Sequence, residues 1–232
     1  MQIIEGKLTR IEVEGNRWFH ASYLQDRLAL GAGPPLNIQA LQERLQLLLQ
    51  DPRIQRLNTE LWPGVRLGES VLDVRVEERN PYKVWLAFNN YQSPTVGAAQ
   101  GLITVAHENL TGHGDILSVQ YGRSIGVELE LDANYILPLT ARDLTVQLEY
   151  RRDAFHVVEA PFDPIDVNST AEIFGITLRQ PLYCTLDQVV ALALTIERLS
   201  DQTYLLGRRS TPRPCQTGGC SRGWARYSGS GG

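Results

Sequence analysis

The sequence predicts a small α+β unit followed by a long run of antiparallel strands, and three observations carry this. Leucines recur at helical spacing between residues 24 and 49. Short alternating segments flank that stretch. From residue 82 on, glycine-punctuated segments of about ten residues alternate apolar and polar with no helical period between them.

Lys7–Gly15 sets Leu8, Ile11 and Val13 among polar neighbours and stops at Gly15-Asn16, as a half-buried strand ended by turn residues does. Ser22 is the expected cap of a first helix carrying Leu24, Leu28 and Leu30, which Gly31-Ala32-Gly33-Pro34-Pro35 ends. Asn37 caps a second helix, whose Leu41, Leu45, Leu48 and Leu49 paint one face up to Asp51-Pro52. Two strands then complete the unit: Ile54–Trp62, closed by Pro63-Gly64, and Val71–Glu77, which turns Leu72, Val74 and Val76 toward the core. The expected order is β-α-α-β-β.

Seven strands follow: Tyr82–Tyr91, Ala98–Leu110, Asp115–Ser124, Val127–Leu137, Leu144–Asp153, Glu172–Gln180 and Val189–Arg198. In the clearest, Val127, Leu129, Leu131, Ala133 and Tyr135 share one face, with Glu128, Glu130, Asp132 and Asn134 on the other. Glu149 and Arg151 fall on the polar face of the next. The pattern suits either a soluble sandwich or a membrane barrel, and strands of about ten residues favour the barrel. Tyrosines near strand ends, as at Tyr135 and Tyr183, fit an interfacial girdle.

Composition narrows the function. Twenty-two basic and 26 acidic residues give a net charge of −4, which argues against a nucleic-acid partner. Residues 81–206 carry 7 basic and 15 acidic side chains, and residues 207–232 carry 5 and none. No apolar run reaches the roughly 18 residues of a membrane helix, a test that a barrel escapes. Cys184, Cys215 and Cys220 lack zinc spacing, and His107 and His113 stand too far apart for a helical metal pair. No nucleophile elbow, phosphate loop or dinucleotide fingerprint is present, so the expectation is a non-enzyme with no metal and no cofactor. Were it an enzyme, Asp115 and the histidines would be its site.

A set of phrases resembles the haemolysin secretion/activation family, the outer-membrane transporters of two-partner secretion, which are related to BamA-type assembly proteins. Glu5-Gly6-Lys7-Leu8-Thr9-Arg10-Ile11, Pro35-Leu36-Asn37, Asp51-Pro52, Leu61-Trp62-Pro63-Gly64 and Leu72-Asp73-Val74 are similar to the family's membrane-proximal polypeptide-transport-associated (POTRA) domain. Phe88-Asn89-Asn90-Tyr91, Leu110-Thr111-Gly112-His113-Gly114-Asp115, Tyr135-Ile136-Leu137-Pro138-Leu139 and Gln180-Pro181-Leu182-Tyr183 are similar to the start of its barrel.

The resemblance, over roughly residues 3–206, implies a POTRA domain at 1–80 and the N-terminal part of an antiparallel transmembrane β-barrel at 81–206, about seven of about 16 strands. An irregular basic tail at 207–232 follows, read as a frameshift product. It implies periplasmic capture of an unfolded secreted partner protein by strand addition, and contact with outer-membrane lipid. Substrate would meet Leu41, Leu45, Leu48, Leu72, Val74 and Val76, while Glu128, Glu130, Asp132, Glu149 and Arg151 face the lumen. The signal peptide, a preceding POTRA domain and the rest of the barrel are expected outside this chain, with Gln2–Gly6 closing that earlier domain. Two other readings remain: a BamA-like assembly protein, and a soluble β-rich binding protein.

Overall fold

Leu8 and Ile11 stand three apart, so a regular strand would point them to opposite faces. The computed structural model describes residues 6–158, 167–186, 188–205, 208–209 and 220–228, and it resolves this conflict with a bulge. In β1 (Lys7–Glu14), Leu8 pairs Ser70 and Arg10 pairs Val71, leaving Thr9 as the extra residue. Leu8, Ile11 and Val13 then all pack on the core. The same device recurs in β2 (Ile54–Pro63), where a register shift between Ile54 and Arg56 turns both Ile54 and Leu57 inward.

Between them lie α1 (Ala21–Ala29) and α2 (Ile38–Leu49), and β3 (Glu69–Glu78) completes a three-stranded sheet in the order β1-β3-β2. Asn37 caps α2 as expected, its side chain accepting from the backbone N–H groups of Gln39 and Ala40. Ser22 is not the cap of α1. That position falls to His20, whose side chain makes no capping bond, and its N–H donates instead to the Gly112 carbonyl at 2.9 Å. A tertiary contact replaces the local cap. Phe19, Tyr23, Leu24, Leu28, Leu41, Leu48, Ile54, Leu72, Val74 and Val76 form the core.

Among the described residues the second sheet has nine strands. Its seven long members are β4 (Tyr82–Asn89), β5 (Gln100–Glu108), β6 (Ile116–Ser124), β7 (Val127–Pro138), β8 (Thr145–His156), β9 (Asn168–Cys184) and β10 (Gln188–Leu205), all joined antiparallel in chain order. β9 and β10 outrun their expected spans: at Asn168–Thr170 and Ser200–Thr203 polar residues fall on both faces, and past Gln180 a register shift opposite Pro181 interrupts the alternation.

The basic tail differs from the irregular chain expected. β11 (Arg208–Arg209) and β12 (Cys220–Ser228) both pair with β10. Backbone pairing to an open edge needs no apolar period, so none announces it in the sequence. Gln2–Glu5, Cys215 and most of the tail lie outside the described residues.

Candidate functional site

Of the six apolar positions expected to meet substrate, five are buried and one is partly buried. Leu41, Leu48, Leu72, Val74 and Val76 are buried, and Leu45 packs against them. They are core because the apolar faces of α1 and α2 pack with one face of the sheet, so that Tyr23, Leu24 and Leu28 join them in one cluster. Among the described residues the edge nearest α2 left unpaired is β2, a strand buried at Ile54 and exposed over most of the rest. Leu61 is 44% exposed and Trp62 is 56% exposed, and Val65 and Leu67 stand free in the turn beyond. Adjacent Leu61 and Trp62 must face opposite sides of a strand, a signal in the sequence that one large apolar residue is left outside.

The long sheet has two chemically distinct faces. Following the pairing across it, Val84, Val105, Val119, Ala133, Tyr150 and Phe174 form one continuous row. The row beyond begins Leu86, Ile103, Tyr121 and Leu131, then turns polar at Arg152 and Glu172, which pair at 3.5 Å. Toward the other end lies Tyr82, His107, Leu117, Tyr135, Leu148 and Ile176. The apolar band therefore climbs diagonally across the strands, as a horizontal belt on tilted strands does. Most of its large side chains are exposed, Phe88 by 86% and Leu86 by 67%, and no second sheet covers them among the described residues.

On the opposite face, Asp132, Glu149 and Arg151 come together, and Glu130 lies beside Gln92 and Gln100. Arg151 donates to Asp132 Oδ2 at 3.2 and 3.1 Å and to Glu149 Oε1 at 3.0 Å. Glu130 accepts from the side-chain amides of Gln92 and Gln100. Glu128 stands apart at the irregular start of β7, largely exposed, with His156 Nδ1 at 4.0 Å.

The turn between β5 and β6 joins the two units. Asp115 is fully buried and accepts from the Thr111 N–H at 2.9 Å, the Thr111 hydroxyl at 2.8 Å and the Tyr135 hydroxyl at 3.0 Å. Burial pushes its carboxyl pKa up, but the hydrogen bonds more than offset this and hold it below the ordinary 3.8. Gly112 and Gly114 take φ of +83° and +75°, and a Cβ on either would collide with the His20 ring or the Tyr23 hydroxyl. Arg53 Nη1 donates to the Gly114 carbonyl at 2.5 Å while its other nitrogens hold Asp51. His107 packs on Trp18 and Tyr82, and His113 packs on His20, so the histidines serve different contacts. Among the described residues no group of three or more His, Cys, Asp or Glu is placed to hold a metal.

The family model described as "Haemolysin secretion/activation protein ShlB/FhaC/HecB" matches residues 68–219, which is more than half of the chain. The chain belongs to the haemolysin secretion/activation family. Members of that family are outer-membrane transporters and not enzymes.

Among solved structures, BamA from Haemophilus ducreyi lacking POTRA domains 1–3 is similar over 96% of this chain and 42% of that one, at 14% identity and a TM-score of 0.67. CdiB from Escherichia coli is similar at 20% identity and a TM-score of 0.67, over 90% and 39% of the two chains. CdiB from Acinetobacter baumannii gives 17% identity and 0.63, over 88% and 39%. These likenesses show a shared fold, and the chain spans about two fifths of the length of these structures. No curated protein matches the chain.

Proposed function

We propose that this chain supplies part of an outer-membrane transporter of two-partner secretion. Residues 6–80 act as a periplasmic POTRA domain, and residues 82–205 supply barrel strands whose polar face lines the conduit. The observation that carries this reading is the exposed apolar band opposite the Asp132–Arg151–Glu149 cluster, since only a nonpolar medium outside and water inside satisfy both faces. A secreted, unfolded partner adds as a strand to β2 beside α2, where backbone hydrogen bonds supply affinity and Leu61 and Trp62 supply apolar contact.

Neighbouring cysteines on the two faces test the orientation. In a background with the native cysteines replaced by serine, Leu148→Cys and Gln147→Cys are expressed in the outer-membrane fraction. Leu148→Cys should react with a lipid-soluble maleimide and resist a water-soluble one, and Gln147→Cys should do the reverse. Recovery of the chain in the soluble fraction with both positions open to the water-soluble reagent overturns the reading.

A further inference from the structure

A cleft of about 740 Å³ lies where α1 and α2 face the polar side of the long sheet near the turns. Its walls carry five arginines, and two of them are already engaged. Arg27 pairs with Asp143, and Arg53 holds Asp51 and the Gly114 carbonyl. Arg44 from α2, Arg142 from the β7–β8 turn and Arg179 from β9 have no carboxylate partner among the described residues. With Glu108, Asp51 and Asp143 as its carboxylates, the cleft keeps two positive charges in excess, in a chain of net charge −4.

The arginines are placed and not merely present. The stem of Arg44 lies over Gly31, so close that a Cβ there would sit 2.7 Å from Arg44 Cγ. Arg44, Arg179 and Cys184 line the same cleft, with Asp143 on its wall as well. Leu30, Leu47, Leu182 and Tyr183 supply apolar surface beside them. The open edge of β2 ends at Ile54, and the preceding Asp51, Pro52 and Arg53 line the cleft. A strand laid along β2 is thus delivered at one end to these guanidiniums.

We propose that the cleft receives acidic residues of the translocating polypeptide that flank the segment paired with β2. Arg44, Arg142 and Arg179 would bind two carboxylates through charge-assisted hydrogen bonds. The inference rests on strand capture at β2, and the experiment separates the two.

The full chain in maltoside micelles is titrated with fluorescent ten-residue peptides of alternating Thr and Val. Each carries Asp-Glu, Ser-Gln or Lys-Lys at one end or the other. The acidic peptide should bind about tenfold more tightly than the neutral one at low salt and the basic peptide more weakly, with the advantage shrinking as salt rises. Arg142→Gln, on an exposed turn where folding is not at stake, and Arg44→Gln with Arg179→Gln should each reduce that advantage while leaving the neutral peptide's affinity unchanged. Trp62→Ala should weaken all three peptides alike. Equal binding of acidic and neutral peptides, or an advantage that survives the arginine variants, overturns the cleft's role and leaves capture standing. Failure of every peptide to bind overturns both.

Discussion

Arg27 Nη2 lies 2.6 Å from Asp143 Oδ1, joining helix α1 to the turn between β7 and β8 across the boundary of the two units. The guanidinium also sits 3.7 Å from the centre of the Tyr23 ring, so one side chain serves a charge and an aromatic face together. The two ends of this pair are unequal, since Arg27 is 14% exposed and Asp143 53%. Asp143→Asn, which keeps a side chain suited to its φ of +58°, should therefore cost below about 1 kcal/mol in urea unfolding, within the range of solvated pairs. Arg27→Ala loses the stacking as well and should cost more, about 1–2 kcal/mol. Equal losses for the two would show that the stacking contributes nothing.

Gly114 supports a sharper expectation. Its φ of +75° disfavours any Cβ, and a Cβ there would lie 2.2 Å from the Tyr23 hydroxyl. Gly114→Ala should destabilise by about 2 kcal/mol or more through backbone strain and overlap combined. Adding Tyr23→Phe removes the nearest atom but not the strained φ, so it should restore only part of the loss. Full recovery of the melting temperature in the double variant would assign the whole effect to the hydroxyl.

Asp115 makes the junction sensitive to acid. Its pKa in the folded chain is below the ordinary 3.8, so the stability it contributes is present above the unfolded value and is lost as pH falls through the folded one. Unfolding free energy should drop below about pH 4, the range where an unfolded aspartate takes up its proton. Asp115→Asn presents an amide to three donors and should lose about 1–3 kcal/mol at pH 7. Its unfolding curve should be flatter than that of the parent between about pH 2 and pH 4. Matching slopes for parent and variant would remove Asp115 as the source.

Much of this architecture is legible in the sequence, for a reason visible in particular residues. The period of two in Val127–Tyr135 and the period of helical type in Leu41–Leu48 report directly which face is apolar, and the seven long strands stand where alternation places them. The same signal misleads about function at Leu72, Val74 and Val76. Alternation marks a buried face without saying whether neighbours or a ligand bury it, and here Tyr23, Leu24, Leu28, Leu41 and Leu48 of the two helices are the neighbours. The junction is less legible, because His20 to Gly112 and Arg53 to Gly114 are contacts between distant segments with no periodic trace. Arg44, Arg142 and Arg179 belong to three different elements, and only the fold brings them to one cleft.

The polar face offers a last expectation. Arg151 is shared by Asp132 and Glu149, all half-buried, so its removal leaves two carboxylates facing each other without a cation. Arg151→Ala should lower resistance to unfolding in micelles more than Arg152→Ala, whose partner Glu172 stands alone at the margin of the apolar band. If charge repulsion is the cause, Asp132→Asn added to Arg151→Ala should return part of the stability, giving a favourable coupling of about 0.5–3 kcal/mol in a double-mutant cycle. Strict additivity of the two changes would mean that Asp132 and Arg151 do not act on each other and that water alone satisfies this face.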